Sequence, residues 1–228
     1  RIIKTASSPV LDEIQCKKVM KEYGINVTKP VLAGSKEDAI DAARRMGYPV
    51  VMKIVSPQIT HKSDIGGVKV GLKSDADVKK AYKDIMKAAE ENAPGAVIDG
   101  VSVQKMAGKG LELVIGMSKE SQFGPMIMFG LGGTLVEILK DVAFRFVPLT
   151  GQDAREMIRQ VKAYRLLEGY RGQPPVDIKH LEELLLKVSR MIEENPEIKE
   201  MDINPLIAYE KGAVAVDARI ILEPDAFK

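Results

Sequence analysis

The sequence contains no tryptophan, one cysteine and only 5% aromatic residues. So few aromatic side chains argue against a surface on which nucleic-acid bases stack. The single cysteine, Cys16, excludes an internal disulfide bond and is typical of a reducing compartment. Lysines and arginines (34) nearly balance aspartates and glutamates (32). The sequence therefore predicts no broad basic surface for nucleic acid.

Long apolar segments are also missing. No run approaches the roughly 20 residues that a membrane-spanning helix needs, and Arg1–Pro9 lacks the apolar core of a signal peptide. Because the chain begins with arginine, we expect further residues upstream. These absences predict a soluble, cytoplasmic protein, and 228 residues suffice for one large domain or two small lobes.

Helix and strand signals alternate along the whole chain and predict a mixed α+β fold. Ser35 and Ser74, each followed by acids, are typical helix starts. We expect one α+β lobe over residues 1–106 and a second over 107–228, joined by a glycine-containing hinge. Two strands near the end, Ile198–Tyr209 and Ala213–Leu222, are predicted to form a hairpin.

The segment VVMKIVSPQITHKSDIGGVKVGL, residues 50–72, combines residues that suit phosphate chemistry. Lys53 lies within an apolar strand signal, where a charged side chain must reach water or meet an anion. Gly66-Gly67 lets backbone amides approach a phosphate, and His61 lies in the polar loop between the strands. A hairpin turn and an edge-strand lysine would explain the same residues without a ligand. Neither a P-loop motif nor a GxGxxG fingerprint occurs in the chain.

A second group of polar residues lies near the end of the chain. Asp202 and Asn204 are two residues apart, so they project from one face of an extended strand. The predicted hairpin brings Asn204 within about one residue of Asp217. Carboxylate and amide oxygens that converge on one face suit Mg²⁺. The alternative is an Asn-Pro turn with a solvated Asp202.

The order of several motifs resembles an ATP-grasp domain: GYPVVMKIVSPQITHKSDIGGVKVGL, VQKMAGKGLELVIG, FGLGG, AYRLLEGYRGQPPVD and EMDINPLI. More narrowly, nearly the whole chain is similar to the β subunit of ADP-forming (NDP-forming) acetyl-CoA or acyl-CoA synthetases. The resemblance implies Mg²⁺-bound ADP or ATP between two lobes. It also implies a separate α subunit that carries the CoA and acyl sites and a second phosphohistidine, in an α2β2 assembly. The implied reaction converts acyl-CoA, ADP and phosphate to acid, ATP and CoA.

The resemblance also implies roles for individual residues. His61 matches a histidine that carries a phosphoryl group, and Asn204 and Asp217 match magnesium ligands, with Asp202 close by. Lys53 would pair with nucleotide phosphates beneath a glycine-rich flap, and backbone groups before the hinge would meet adenine. The nucleotide-binding residues implied are Lys53, Ile65, Gly66, Gly67, Val68, Gln104, Lys105, Met106 and Glu112.

Three interpretations stay open on the sequence alone. Arg145, between two phenylalanines, could contact phosphate or the partner subunit, or form an ion pair with Glu137. Residues 123–133 are either a subunit contact or a buried strand. The whole chain could instead be a catalytically silent regulatory module of the protein acetyltransferase type, or a succinyl-CoA synthetase-type β subunit. The retained lysine, histidine and metal pair argue against the silent module, and the HKSD and GYRGQPP segments favour the acyl-CoA type.

Overall fold

The computed structural model describes residues 2–6, 8–59, 62–120, 122–132 and 141–224. It divides into two compact units, one formed by Thr28–Gly108 and one by Arg1–Val27 together with Lys109–Lys228. Both units combine helices with antiparallel strands, which confirms the predicted α+β class. Within the described ranges, no helix is both long enough and apolar enough to cross a membrane.

The helices and strands of the described residues are numbered here in chain order. The helices are α1 (Glu13–Glu22), α2 (Lys36–Met46), α3 (Asp75–Asn92), α4 (Gly151–Gln160), α5 (Tyr164–Leu167) and α6 (Ile178–Glu194), with a 3-10 turn at Ile3–Thr5. The strands are β1 (Val10–Leu11), β2 (Val31–Ala33), β3 (Val50–Val55), β4 (Val68–Leu72), β5 (Gly100–Lys105), β6 (Leu111–Glu120), β7 (Gly124–Leu131), β8 (Val142–Phe146), β9 (Ile198–Ala208), β10 (Ala213–Ala215) and β11 (Ala218–Leu222).

The unit Thr28–Gly108 is a four-stranded antiparallel sheet, in the order β2-β5-β3-β4, with α2 and α3 on one face. Both helices begin where the sequence predicts. The Ser35 hydroxyl accepts a hydrogen bond from Asp38 N at 3.1 Å, and Ser74 does the same for Asp77 N at 3.2 Å. These serines satisfy amide donors that the first turn of a helix leaves without partners.

The second unit is built on a seven-stranded sheet in the order β1-β11-β9-β6-β7-β8, with β10 paired to β9. The buried side chains of α1, α4 and α6 share one apolar core with Ile115, Ile203 and Ile220. Because side chains alternate along a strand, the residues between these point to the opposite face. We call that opposite face the site face; it carries Glu112, Gly116, Asp202, Asn204 and Arg219.

The first 27 residues belong to the second unit rather than to the predicted lobe 1–106. Val10 and Leu11 form a two-residue strand that pairs with Ile221 and Ile220 of β11. Leu11 is buried in the same core, and Cys16 is buried and donates from Sγ to Leu11 O at 3.6 Å. A strand of two residues has no periodic signal of its own, so the sequence did not predict this pairing. The other end of the unit, Gly108, lies within two residues of the predicted boundary.

Two predicted strands also differ from those observed. The segment Val27–Ala33 keeps only β2 as a strand, at the edge of its sheet, as the Pro30 within the segment predicted. The final strand Ala213–Leu222 is interrupted at Val216 and Asp217 and forms β10 and β11.

We expect Leu11→Ala to destabilise the protein by about 2–5 kcal/mol, because it removes a buried side chain from the core beneath β11. Native-state hydrogen exchange should show lost protection in β9 and β11 and unchanged protection in β3 and β5. Leu32→Ala, at a side chain that is 48% exposed in the other unit, is the control. Faster exchange confined to β3 and β5 would contradict the assignment of residues 1–27.

Candidate functional site

Lys53 lies at the centre of a buried polar row in the unit Thr28–Gly108. Its neighbours along β3, Met52 and Ile54, point into the helix-packed core, so Lys53 points to the other face. Across the strands it faces Ser102, whose hydroxyl donates to Lys53 O at 3.5 Å. Gln104 lies on the same face and accepts from Thr28 Oγ1 at 3.0 Å. A lysine is rarely buried without polar or anionic partners, so this row is suited to anionic groups.

The glycine pair forms a tight turn beside Lys53. Gly66 has a φ of +74°, a conformation that disfavours side chains. A Cβ on Gly67 would lie 2.6 Å from Ile54 Cγ2 and 2.9 Å from Lys62 O. Gly67 O accepts from Ile54 N at 2.8 Å, which ties the turn to β3. The local backbone therefore favours glycine at both positions even without a ligand. The predicted role of these glycines over phosphates stays a prediction, as do the roles of Ile65 and Val68.

Gln104, Lys105 and Met106 are predicted to contact adenine, but some of their donors already bond to residues of the same unit. The Lys105 amine donates to Gly47 O at 2.8 Å and to Tyr48 O at 2.7 Å. The Met106 amide donates to Pro49 O at 3.1 Å, so this backbone donor is already used. The structure therefore leaves the predicted adenine contacts to other backbone groups of Gln104, Lys105 and Met106.

Asn204 and Asp217 lie opposite each other in the second unit. The Asn204 amide donates to Asp217 O at 3.2 Å, and Val216 N donates to Pro205 O at 3.0 Å. The sequence predicted this proximity from the hairpin alone. Asn204 is exposed, whereas Asp217 is half-buried, and its Oδ1 accepts from Ala218 N at 2.9 Å. A residue with a side-chain amide and one with a carboxylate are thus paired through their backbones between β10 and β11.

Asp202 lies on the site face two residues from Asn204, as predicted, and is half-buried. Its Cα partners are Arg219 on β11 and Gly116 on β6. Burial raises the pKa of the Asp202 carboxyl above its usual value, and the nearby charges of Asp217 and Glu200 raise it further. The guanidinium of Arg219 opposes this effect by favouring the carboxylate.

These oxygen donors fit a magnesium ion. In the ranges that the structure covers, no three His, Cys, Asp or Glu side chains converge on a metal site. Asn204 and Asp217, with Asp202 nearby, would supply an amide and one or two carboxylates. Mg²⁺ is commonly held by one or two carboxylates and completes its octahedral shell with phosphate oxygens and water. The arrangement therefore suits an ion that arrives with a phosphate ligand.

Glu112 is exposed on β6, and its carbonyl accepts from Gly132 N at 2.8 Å. A Cβ on Gly132 would lie 2.6 Å from Leu113 O, so the close approach of the chain to β6 at this position requires glycine. Glu112 is thus placed on the same unit as Asn204 and Asp217, and its predicted contact with the nucleotide stays a prediction.

Arg145 points away from the site face. Its Cα partner on β7 is Ile127, a core residue, so Arg145 lies on the helix-packed side. Its guanidinium donates to Gln160 Oε1 at 2.9 Å and forms an ion pair with Glu156 at 3.4 Å, both on α4. Because its donors are directed to α4, we remove Arg145 from the predicted nucleotide site. The alternative partner Glu137 lies outside the described residues.

Three further parts of the sequence bear on this site: one that was not predicted, one outside the described residues and one for which two interpretations were open. Arg219 shares the site face with Asp202, and the same two-residue alternation from Asp217 would have found it. His61, the predicted phosphoryl carrier, lies outside the described residues. The segment 123–133, where described, is strand β7; it buries Ile127 and Phe129 and leaves Phe123 68% exposed.

Comparisons with known proteins identify the family of the chain. The profile of the ATP-grasp domain family matches residues 3–222. The chain is 50% identical to the β subunit of ADP-forming acetate–CoA ligase I from Pyrococcus furiosus, over 95% of this chain and 94% of that subunit. It also matches the ADP-forming acetate–CoA ligase I of Archaeoglobus fulgidus, but there it spans only 30% of the relative's length.

Solved structures of a Ca. Korarchaeum cryptofilum acetyl-coenzyme A synthetase are also similar. One, in complex with coenzyme A and Ca-AMPCP, is 52% identical with a TM-score of 0.91 and covers 94% of this chain and 93% of that chain. Another, in complex with coenzyme A and Mg-AMPPCP, is described as having its phosphohistidine segment pointing towards the nucleotide binding site. It is 49% identical with a TM-score of 0.82 over the same shares of the two chains.

We expect Arg145→Ala to lower stability by up to about 1 kcal/mol, because its ion pairs are only partly buried. Its affinity for Mg·ADP, measured by calorimetry, should equal that of the wild type. Arg155→Ala, at an exposed arginine of α4, controls for loss of charge. A clear fall in affinity for Arg145→Ala alone would return this residue to the nucleotide site.

Proposed function

Because the chain belongs to the ATP-grasp domain family, we propose that it is the nucleotide-binding β subunit of an ADP-forming acyl-CoA synthetase. In this role it binds Mg²⁺ with ADP or ATP and passes a phosphoryl group between a partner subunit and ADP. The overall reaction converts acyl-CoA, ADP and phosphate to a carboxylic acid, ATP and CoA. The near-complete match to a chain named as such a β subunit supports the proposal.

The observation that carries the proposal is the backbone pairing of Asn204 with Asp217, in which Asn204 N donates to Asp217 O at 3.2 Å. Strand pairing holds their backbones together before any ligand binds, so little ordering remains when a phosphate-bound cation arrives. Asn204 and Asp217 would hold Mg²⁺, which would supply positive charge against the phosphate oxygens. Asp202 flanks this pair and adds negative charge to the same face.

The other unit would provide the remaining positive charge. Lys53 would neutralise phosphate oxygens, since phosphoryl transfer depends mainly on positioning and on cations near the transferred group. The amides of the Gly66-Gly67 turn would donate to the same phosphates. Ile65 and Val68 flank that turn. Backbone groups of Gln104, Lys105 and Met106 would orient the base. Glu112 would lie at the ribose or phosphate edge of the nucleotide. Lys53 is already held by strand pairing to Val68 and Ser102.

His61 is the proposed phosphoryl carrier of this subunit. On the α subunit, the phosphoryl group of an acyl phosphate passes to a histidine as the phosphorus–oxygen bond breaks and the carboxylate leaves. An imidazole nitrogen of His61 then attacks that phosphorus, the phosphorus–nitrogen bond breaks and the α-subunit imidazole leaves. A terminal ADP oxygen then attacks the phosphohistidine, and the phosphorus–nitrogen bond breaks as ATP forms. The imidazole of His61 is thereby regenerated. The phosphohistidine segment reported for the Korarchaeum enzyme supports this role.

The proposal requires a second subunit with the CoA and acyl sites. This chain spans nearly all of one relative named as a β subunit but only 30% of a single-chain relative. We propose that an α subunit carries the CoA and acyl sites and that the assembly is α2β2. The proposed location is the cytoplasm, because a sole cysteine suits a reducing compartment.

Mg·ADP should raise the melting temperature of the wild type, because a ligand that binds only the native state stabilises it by about 2.7 kcal/mol at a hundredfold excess over Kd. For Asp217→Asn we expect at least about tenfold weaker Mg·ADP binding, since one metal-binding carboxylate is lost. Glu210→Gln, at an exposed acid of the same hairpin, is the control. Equal shifts in all three proteins would contradict the metal site.

Incubation with γ-³²P-labelled ATP and Mg²⁺ should label the wild type, because ATP returns its phosphoryl group to the carrier in the reverse reaction. His61→Ala should remain unlabelled, whereas His180→Ala, which removes the other histidine of the chain, should be labelled normally. The label should be lost in acid and kept in alkali, as expected for a phosphoramidate. Equal labelling of His61→Ala and wild type would remove His61 as the carrier.

A further inference from the structure

Arg219 is a partly buried cation on the site face, and its side chain pairs with none of the residues that the structure describes. Of the arginines in the described ranges, only Arg145 and Arg219 are less than exposed. Arg145 is tied to three side chains of α4. Arg219 makes no ion pair or hydrogen bond from its side chain to any residue that the structure describes. A guanidinium has five donors, and leaving them without partners in a partly buried position has a cost.

The position of Arg219 links it to the metal pair. It lies two residues after Asp217, so the two residues are roughly 7 Å apart along the strand. Its Cα partner across β9 is Asp202, and the next pair along the strands, Ala218 with Ile203, separates it from Asn204. The long arginine side chain can therefore reach the space beside Asn204 and Asp217.

The face beside Asp202 is not covered by side chains of β6. The residue paired with Asp202 on that strand is Gly116. A Cβ built on Gly116 would already lie 3.2 Å from Met128 Cε. The row Arg219, Asp202, Gly116 therefore presents a guanidinium and a carboxylate next to a position with no side chain. The methyl group of Met128 lies close to this glycine, so a ligand beside Arg219 would have to lie towards Asn204 and Asp217.

Two explanations of Arg219 have to be separated. Its charge lowers the pKa of Asp202 against the effect of burial, so it could serve only to balance nearby acids. However, it forms no ion pair with Asp202 within 4.0 Å, although the two residues are directly paired across the strands. Arginine matches phosphate oxygens with two parallel hydrogen bonds. A guanidinium with unused donors beside a site for phosphate-bound magnesium is thus placed to bind phosphate.

We propose that Arg219 binds a terminal phosphate oxygen of the nucleotide, beside the Asn204–Asp217 pair. This inference rests on the proposed function, since it requires a nucleotide phosphate on the site face. In that position Arg219 adds a positive charge that does not depend on Lys53 of the other unit. It would stabilise the negative charge that spreads over phosphate oxygens during transfer.

The test compares wild type, Arg219→Gln, Arg219→Lys and Arg155→Gln by calorimetry with ATP, ADP and AMP in the presence of Mg²⁺. We expect Arg219→Gln to bind ADP and ATP about tenfold to a hundredfold more weakly, as for loss of a charged hydrogen bond. AMP should be affected least, because it lacks the terminal phosphates. Arg219→Lys should recover part of the affinity, and Arg155→Gln should bind like wild type.

The double variant Arg219→Gln/Asp202→Asn distinguishes phosphate binding from charge balance. If Arg219 only neutralises Asp202, removing both charges should restore ADP affinity to that of the single variant Asp202→Asn, and that result would overturn the inference. If Arg219 binds phosphate, the double variant should bind ADP more weakly than Asp202→Asn alone. Unchanged ADP binding by Arg219→Gln would overturn the inference alone. Failure of the wild type to bind any of the three nucleotides would overturn the proposed function and the inference with it.

Melting curves without nucleotide guard against a folding defect. We expect Arg219→Gln to unfold cooperatively and close to the wild-type temperature, because the Arg219 side chain makes no hydrogen bond or ion pair with the described residues. Should that variant fail to fold, Arg219→Lys decides the question, since it keeps the charge but cannot form two parallel hydrogen bonds to one phosphate. If Arg219→Lys then bound ADP and ATP as tightly as the wild type, that result would overturn the inference.

Discussion

The pairing of β9 with β6 on one side and β11 on the other is the constraint on which the second unit depends. Strand β9 has eleven residues and buries Met201, Ile203 and Leu206 in the core. The same hydrogen bonds that fix this burial bring Asn204 opposite Asp217. The position of the oxygen donors is therefore a consequence of core packing: a shift of one residue in register would move Ile203 out of the core and Asn204 into it.

Alternation of side chains decides which charged residues are available for binding. Arg145 and Arg219 both lie in strands between apolar residues, yet they point to opposite faces of one sheet. Arg145 is directed to the helices and is paired there with acids of α4. Arg219 is directed to the face that carries Asp202 and Asn204. Two arginines in similar sequence surroundings are thus assigned a structural role and a proposed binding role by the direction of one side chain.

The unit Thr28–Gly108 handles a buried charge differently. Lys53 is 4% exposed and lies beside polar groups of β5 and the glycine turn. Burial of a lysine is unfavourable unless partners compensate for lost hydration. Ser102 and Gln104, on the same face of the sheet, supply hydrogen-bonding atoms beside it. This polar row is compatible with the proposed role of Lys53 towards nucleotide phosphates.

Local sequence signals determined most of the secondary structure and the pairs of residues that a single hairpin brings together. Serine caps, β-branched runs and two-residue spacing are readable because helix capping and strand alternation depend on near neighbours. Motif order likewise identified the ATP-grasp family. Only the tertiary structure decided that residues 1–27 complete the second sheet, that Arg145 faces α4 and that Met106 N is already bonded to Pro49 O. Those three outcomes depend on contacts between residues that are distant in sequence or on which sheet face the core covers, and neither is encoded in a short stretch of chain.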